Sequence, residues 1–505
     1  MRRLTSTLLF AALLFPAASF AQEATPVAPT PTDGPRVVLD RATMARLFEG
    51  SLADPATDAR DMLLQQKTVA DWASDGRACE GCPRRRAAAA YFQAVLINVF
   101  YNIGNQARGE ETAKISFKSW WNNMKYGFEW DDNPFVTNQF GHPYQGSNYY
   151  TAGRANGLSY WESAALTAFG SATWEYFGEN NYASFNDIVN TTLGGIALGE
   201  AFHRTAWMIR NTKETGKGRL WQEIAGTAID PMGGLNRFMS GDAHRVSEKP
   251  ATFAPKGSTA VAQLGALWQG SNDNAFSEAP SAFLEMDLVY GTPLEGRGRT
   301  PFEAFTVNFR MGGGQGLSDV RVRGRLFGQP LGDGKFHLAL AHSFDYVSNK
   351  AYKFGRQGFD LVLSKRFGTR EGTSAVVLGG AGVTAQGAID RVVLTTPPAE
   401  SEPEPGEEER DYDYGPGTTF GASAVFERKG RAFFDLAYQG YQIYVVDGVR
   451  SNHVLQRFRM DLLVPVHRRL AIGTAGEYFY RKTYFATGGE RRDKFPQARI
   501  YLAWR

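Results

Sequence analysis

Residues 305–311 read Phe-Thr-Val-Asn-Phe-Arg-Met, and residues 457–464 read Arg-Phe-Arg-Met-Asp-Leu-Leu-Val. In both stretches large apolar side chains alternate with mostly polar or charged ones. Successive side chains of a β-strand point to opposite faces, so this period of two is typical of a strand with one apolar and one polar face. The alternation starts near Ser258 and continues to Trp504. We therefore predict a single all-β unit over residues 256–505.

Turn residues divide this unit into strands of a regular length. Runs bounded by Gly, Pro, Asn or Asp predict twelve strands, which begin near residues 259, 281, 302, 319, 335, 356, 374, 418, 432, 453, 469 and 495. An even number of strands of about ten residues, apolar outside and polar inside, is what a transmembrane β-barrel requires. A soluble β-sandwich would also alternate and is the alternative. The unbroken alternation and the aromatic richness favour an antiparallel β-barrel of about 12 strands.

The composition of the chain excludes several classes of protein. It has 505 residues, of which 21% are charged and 13% aromatic, and its mean hydropathy is −0.34. This average is too polar for a bundle of membrane-spanning helices, and the aromatic content is too high for a disordered chain. A net charge of +3 gives no reason to expect nucleic acid as a partner.

The N-terminus has the pattern of an export signal. Arg2 and Arg3 precede an apolar run at residues 8–15, and small residues lead to Ala21. This order predicts a secretory signal peptide over residues 1–21. The stretch rich in Pro and Thr that follows cannot form a core, so residues 22–36 are predicted to be a flexible linker. Export together with a barrel predicts the cell outer membrane as the location and its lipid as a partner.

Residues 37–255 have a helical pattern instead. Long runs rich in Ala, Gly, Ser and Thr occupy residues 85–107, 158–177 and 187–210. Each run contains Gln, Asn or Glu, and strongly apolar helices would stop export. We therefore predict buried helices of a compact periplasmic domain, so that the fold class is an N-terminal helical periplasmic domain followed by the barrel.

Five polar residues of the helical region are candidates for chemistry: His142, Glu175, Asp187, Glu200 and His203. The last two are three residues apart and share a helical face, as in the Glu-x-x-His motif of carboxylate-bridged metal sites. A site of that type needs two copies, and the chain has one. We therefore favour buried ion pairs and caps over catalysis, and we predict no metal and no cofactor.

The stretch from residue 133 to residue 210 contains the motifs HPYQG (142–146), WEYFGE (174–179) and Ser184-x-x-Asp187. It resembles the domain-of-unknown-function 3943 family of bacterial envelope proteins. The resemblance implies a layout of signal peptide, helical domain and predicted outer-membrane barrel. It implies no activity, because the family name carries none.

Two further sets of residues are of interest. Cys79 and Cys82 form a C-x-x-C pair, but Pro83 stands where haem attachment needs a histidine, so a small disulfide is predicted. Seven arginines on the polar face of the barrel are candidates for the lumen: Arg310, Arg321, Arg323, Arg325, Arg457, Arg459 and Arg481.

The sequence leaves three functions open. The leading hypothesis is a barrel whose lumen is gated or plugged, or which organises the envelope, with the helical region as its accessory. The alternative is an envelope enzyme that acts on lipid or cell-wall material through the five polar residues. A scaffold that binds other periplasmic or envelope proteins is the third. The sequence does not decide whether the protein is an enzyme, and the balance is against it.

Overall fold

A computed structural model describes residues 83–505, except for positions 251–252, 254–256, 271–273, 275, 299, 314–315, 333, 393–409 and 468. The predicted signal peptide, the linker and the Cys79–Cys82 pair lie outside the described residues. Helices occupy the first part of the chain and antiparallel strands the second. Two very short strands within the helical part, β1 (Phe128–Glu129) and β2 (Ala183–Ser184), pair in parallel.

The second part is a closed antiparallel barrel of twelve strands, as predicted. The ring closes between the first strand and the last, where Gln263 pairs with Ala503. The strands are β3 (Thr259–Gln269), β4 (Ser281–Tyr290), β5 (Phe305–Gly312), β6 (Leu317–Leu331), β7 (Phe336–Ser348), β8 (Lys353–Gly368), β9 (Thr373–Asp390), β10 (Tyr412–Arg428), β11 (Arg431–Tyr444), β12 (Ser451–His467), β13 (Leu470–Phe485) and β14 (Glu490–Trp504).

Eight α-helices precede the barrel in the described part of the chain. They are α1 (Ala87–Arg108), α2 (Phe117–Tyr126), α3 (His142–Ala155), α4 (Tyr160–Phe177), α5 (Phe185–Val189), α6 (Gly195–Ile209), α7 (Gly216–Ile229) and α8 (Pro231–Met239). Two π-helical turns interrupt the series. One at Thr137–Gly141 runs directly into α3, and one at Asn190–Gly194 joins α5 to α6.

The two faces of the barrel wall differ as the alternation predicts. On β12, Arg457 and Arg459 face the lumen, whereas Phe458 and Met460 lie on the outer wall and are 44% and 48% exposed. We call the end where β3 begins and β14 ends the near end, and the opposite end the far end. In outer-membrane barrels short turns are periplasmic and long loops extracellular. Strand β9 ends at the far end, at Asp390, and β10 begins there, at Tyr412.

The helices pack against the outer wall of the barrel and share a hydrophobic core with it. Tyr150 and Leu198 belong to the same buried cluster as Leu288, Val322 and Phe344, whose side chains point outward from β4, β6 and β7. The sequence predicts a compact helical domain ahead of the barrel, and in the structure its helices share their core with the barrel wall. The cause is the apolar outer wall, which offers the helices a large surface to bury.

Contacts between helices and barrel extend from one end of the wall to the other. At the near end, the ring centroids of Tyr160 and Phe302 are 5.8 Å apart. At the far end, the Asn138 side chain donates a 2.8 Å hydrogen bond to the Tyr412 hydroxyl. The helical bundle therefore lies alongside the barrel, and it covers part of the outer wall of strands β4 to β10.

Helix α1 has its polar side chains inside and its apolar side chains outside. Asn98 and Asn102 are buried and donate hydrogen bonds to groups of neighbouring elements, including the carbonyls of Gly170 and Gly178. Seven large apolar residues of the same helix are exposed: Tyr91, Phe92, Val95, Leu96, Val99, Phe100 and Ile103. Among the described helices, α1 is long and apolar enough to cross a membrane. This distribution is the reverse of that in a helix on the surface of a water-soluble domain.

Candidate functional site

Three of the five polar candidates meet at the far end of the helical bundle. His142 is the first residue of α3, Glu175 lies near the end of α4, and Asp187 lies in α5. One potential ligand atom from each side chain lies within 4.8 Å of the other two. All three side chains are buried, with exposed fractions of 5%, 3% and 1%.

Local backbone features bring these residues together. The two π-helical turns precede His142 and follow Asp187, and π-helical turns are frequent at functional sites. Helices α3 and α6 also approach closely at glycines. A Cβ on Gly146 would lie 1.9 Å from the carbonyl oxygen of Thr191, so no larger residue fits there. This approach holds the start of α3 against the second π-helical turn.

Each of the three side chains is close to a polar neighbour outside the cluster. His142 Nδ1 lies 3.3 Å from the Thr191 hydroxyl oxygen. Glu175 Oε2 accepts a 2.7 Å hydrogen bond from the backbone N–H of Ser184. Asp187 Oδ1 accepts a 2.8 Å hydrogen bond from the Asn186 side chain. Glu175 Oε1 is left without a hydrogen-bond partner, and His142 Nε2 lies 3.7 Å from Asp187 Oδ2.

The charge of the cluster is not balanced by a basic side chain. In the described part of the chain, neither Glu175 nor Asp187 has an ion pair with lysine or arginine, and the one nearby nitrogen base is His142, 3.7 Å from Asp187. Two buried carboxylates so close together cannot both be ionised without a counter-charge. The cluster therefore requires either an added proton or an added cation.

Glu200 and His203 lie elsewhere, and they have other partners. Glu200 forms ion pairs with Arg154 at 3.0 Å and with Arg204 at 2.7 Å. His203 Nδ1 lies 3.2 Å from a carboxylate oxygen of Asp230. Both pairs are buried within the helical bundle. The Glu-x-x-His spacing in this chain thus does not correspond to a shared ligand set.

All seven candidate arginines of the barrel lie in the lumen and have acidic partners. Several of these contacts cross the lumen. Arg457 of β12 lies 3.3 Å from Asp319 of β6, and these two strands are six positions apart in a ring of twelve. Arg310 of β5 contacts Glu477 of β13 at 2.8 Å. The other pairs are Arg321–Asp319, Arg323–Asp345, Arg325–Glu303, Arg459–Asp461 and Arg481–Asp390.

The lumen has a different lining on either side of these ion pairs. Toward the far end an apolar cluster fills it, with Phe354 and Tyr441 in contact and Tyr352 packed against Phe479. Toward the near end there is a cavity of about 520 Å³, whose lining includes near-end turn residues such as Arg370. The cavity and the far end are thus separated by both layers.

A polar network between the helices and the outer wall was missed by the sequence analysis. Asn186 donates to the Tyr414 hydroxyl at 3.1 Å, and Gln386 donates to the Asn186 carbonyl at 3.1 Å. The Tyr412 hydroxyl donates to the carbonyl of Asn133 at 2.7 Å. The available signal was the position of Gln386 and Gln357 on the outer, otherwise apolar, face of their strands.

These observations define the class of the protein: it has the fold of an outer-membrane β-barrel, with an apolar outer wall and a charged lumen. Residues 127–232 match the sequence profile of a family described as a domain of unknown function, DUF3943. This match agrees with the resemblance found in the sequence. None of the curated proteins matches the chain.

Several solved structures align with about half of the chain, at low TM-scores. The NanC porin is 11% identical, with a TM-score of 0.27, over 48% of this chain and 99% of its own. The CymD monoaromatic hydrocarbon channel is 8% identical, with a TM-score of 0.20, over 50% of this chain and 89% of its own. BamA from Haemophilus ducreyi lacking POTRA domains 1–3 is 12% identical, with a TM-score of 0.22, over 45% of this chain and 42% of its own. At these scores the matches carry no argument about function.

Proposed function

We propose that this protein is a plugged outer-membrane barrel that organises the envelope through its helical bundle and does not conduct solutes. The observation that carries the proposal is the set of ion pairs across the lumen. Arg457 and Asp319 come from opposite strands and still reach each other at 3.3 Å. A water-filled pore wide enough for a solute cannot contain such a contact at the same level.

The ion pairs are supported by the groups around them. Arg457 also contacts Glu477 at 2.8 Å, and Glu477 in turn contacts Arg310 and Arg499. Breaking such a network has a high free-energy cost, because each carboxylate has several guanidinium partners and a broken contact leaves a buried charge without its partner. The apolar cluster at the far end adds a second barrier.

We further propose that the helical bundle lies in the bilayer beside the barrel, in place of the periplasmic location expected from sequence. The bundle occupies a wall that would otherwise contact lipid, and the exposed face of α1 continues this apolar surface. The buried asparagines of α1 satisfy their hydrogen bonds inside the protein, as polar groups in a membrane must. Lipid acyl chains are the partner that this face fits.

Conductance in planar bilayers tests the plug. We expect the full chain to give no open steps. A triple variant that weakens both layers, Asp319→Ala/Arg457→Ala together with Phe354→Ala in the apolar cluster, should give them. The matched control is Glu490→Ala/Arg492→Ala, which removes an ion pair in a more exposed part of β14 and leaves the lumen pairs in place. Steady open steps in the unaltered protein would overturn the proposal.

Cysteine labelling tests the position of the bundle. In a background with Cys79 and Cys82 replaced, a membrane-impermeant maleimide on detergent-free vesicles should label Lys213→Cys and leave Val99→Cys unlabelled. Phe458→Cys, on the outer wall of the barrel, is the lipid-facing control, with an exposure of 44% against 48% for Val99. Labelling of Val99→Cys at the rate of Lys213→Cys would place α1 in water and contradict the proposal.

The enzyme alternative has one supporting observation, which is the convergence of His142, Glu175 and Asp187. Each of these side chains is at most 5% exposed. A substrate as large as a lipid or a peptidoglycan fragment has no access to groups so enclosed. The geometry therefore favours a structural or ion-binding role for the cluster.

A further inference from the structure

The cluster of His142, Glu175 and Asp187 has the arrangement of a ligand set. One polar atom of each side chain is close to a polar neighbour, as described above, and one potential ligand atom from each lies within 4.8 Å of the other two. In metal sites, hydrogen bonds from surrounding groups orient each ligand in this way. A hydrogen bond between His142 Nδ1–H and Thr191 would leave the lone pair of Nε2 directed at the centre of the cluster.

The distances within the cluster fit a bound ion better than direct hydrogen bonds. His142 Nε2 and Asp187 Oδ2 are 3.7 Å apart, which is too long for a hydrogen bond. Two ligands at about 2.1 Å from a tetrahedral ion lie about 3.4 Å from each other. The observed separation is close to that value.

A second observation points to a missing partner at the same place. Glu175 Oε1 is buried and has no hydrogen-bond partner, although the residue is only 3% exposed. A buried polar atom of this kind needs an explanation, and an unplaced ion is one of the standard ones. Two other buried acids of the helical bundle are paired with arginine: Glu200 has Arg154 and Arg204, and Glu223 has Arg219 and Arg237.

We propose that His142, Glu175 and Asp187 bind a divalent transition-metal ion that fastens α3, α4 and α5 together at the far end of the bundle. Two carboxylates balance the charge of such an ion. One imidazole and two carboxylate oxygens suit Zn²⁺ or Mn²⁺, because both accept nitrogen and oxygen ligands. The inference goes beyond the proposed function, because it holds whether or not the lumen conducts. It also replaces the sequence-based prediction of no metal.

Metal content measured by plasma mass spectrometry tests the proposal. The full chain, purified from membranes without chelator, should hold close to one equivalent of Zn²⁺ or Mn²⁺. The variants Glu175→Gln and Asp187→Asn keep the size and shape of the side chains and remove the charged ligand atom. Each should lower the metal content at least tenfold.

The control is His203→Ala, which removes an equally buried histidine that also contacts an aspartate but lacks a third ligand. It should leave the metal content unchanged. Replacement of the native ion by Co²⁺ gives an independent readout, because Co²⁺ bound to these ligands absorbs visible light. That absorption should be present in the full chain and lost in Asp187→Asn.

Three results would overturn the proposal. The first is a folded full chain that holds no stoichiometric metal and takes up neither Zn²⁺ nor Co²⁺ when they are added. The second is metal that persists in both amide variants, which would assign it to other ligands. The third is equal loss in His203→Ala, which would attribute the loss to general damage to the bundle. In the first case a shared proton, and not a cation, balances the cluster.

Discussion

Replacement of Phe302 by alanine should undock the helical bundle from the near end of the barrel. Phe302 lies in the turn between β4 and β5, where its side chain is fully buried on the outer wall. Its ring covers Gly324, where a Cβ would lie 2.0 Å from the ring, and it stacks against Tyr160 of α4. The backbone at Phe302 has a φ of 57°, which is rare for a bulky residue and shows how closely the position is constrained.

The size of the effect follows from this burial. Truncation of a buried Phe to Ala costs about 3 to 5 kcal/mol. The amide hydrogens of α4 and α6 should exchange when these helices leave the barrel wall. A loss of about 3 kcal/mol in the free energy that holds them there should speed this exchange about 100-fold, since about 1.4 kcal/mol corresponds to a factor of ten. Hydrogen–deuterium exchange with mass spectrometry on the protein in detergent measures this rate for each peptide.

Phe420 provides a matched control for this experiment. It also lies on the outer wall over a glycine, Gly440, but it is 44% exposed and belongs to no cluster with the helices. Phe420→Ala should leave exchange in α4 and α6 within about threefold of the unaltered protein, a free-energy change below about 0.7 kcal/mol. Equal acceleration by the two variants, or none by Phe302→Ala, would refute the docking argument.

Three further predictions concern stability, measured by the loss of helical circular dichroism on denaturation, in detergent for the first two and in lipid bilayers for the third. Glu200→Gln leaves Arg154 and Arg204 without their buried carboxylate, so it should lower the free energy of unfolding by about 3 to 5 kcal/mol. The control Glu162→Gln weakens a partly exposed pair with Arg85 and should lower it by less than about 1 kcal/mol. Gly146→Ala places a methyl group 1.9 Å from the Thr191 carbonyl oxygen and should lower the free energy of unfolding by at least about 1 to 3 kcal/mol. In the control Gly104→Ala, the new methyl group meets only the Arg108 side chain at 3.8 Å, so this change should be neutral or stabilising. Val99→Arg should be destabilising by about 2 to 4 kcal/mol in bilayers if α1 faces lipid, as is expected for Phe458→Arg on the barrel, and nearly neutral if α1 faces water.

The barrel was predictable because the environments on the two sides of its wall together impose an alternation of polar and apolar residues. A lumen on one side and lipid or apolar helices on the other require polar and apolar residues to alternate, and the first two strands begin at Thr259 and Ser281 as predicted. The largest difference is β10, predicted near residue 418 and observed from Tyr412. Its first part contains Gly415 and Gly417 around a proline, which reads as a turn, and it pairs there with β9.

The docking of the helices was not predictable from the alternation. An outward Phe309 beneath the helices and an outward Phe458 on the bare wall have the same sequence pattern, because lipid and helices both select apolar residues. Only polar residues on the outward face distinguish the part of the wall that the helices cover from the part that is bare. His342, Gln357 and Gln386 interrupt the apolar face of β7, β8 and β9, and all three are buried.

The candidate site was predicted in part. The sequence supplied His142, Glu175 and Asp187 but grouped them with Glu200 and His203, because regular helical spacing was assumed from residue 187 to residue 210. The π-helical turn at Asn190–Gly194 changes the direction of the side chains on either side of it. Such a turn has no clear sequence signature, so the division of the five residues into two sites required the structure.

The one-sided position of the helices also limits how copies of this protein can stand beside one another in a crowded membrane. Within the residues that the structure describes, no helix covers the outer wall of strands β11 to β14 and β3, whereas the opposite sector is shielded by the helices. Rings of barrels, in which each copy contacts two neighbours, require two separate wall-to-wall surfaces on every copy. The described part of the chain has a single uninterrupted one, so we expect direct barrel-to-barrel contact along the full height to form back-to-back pairs.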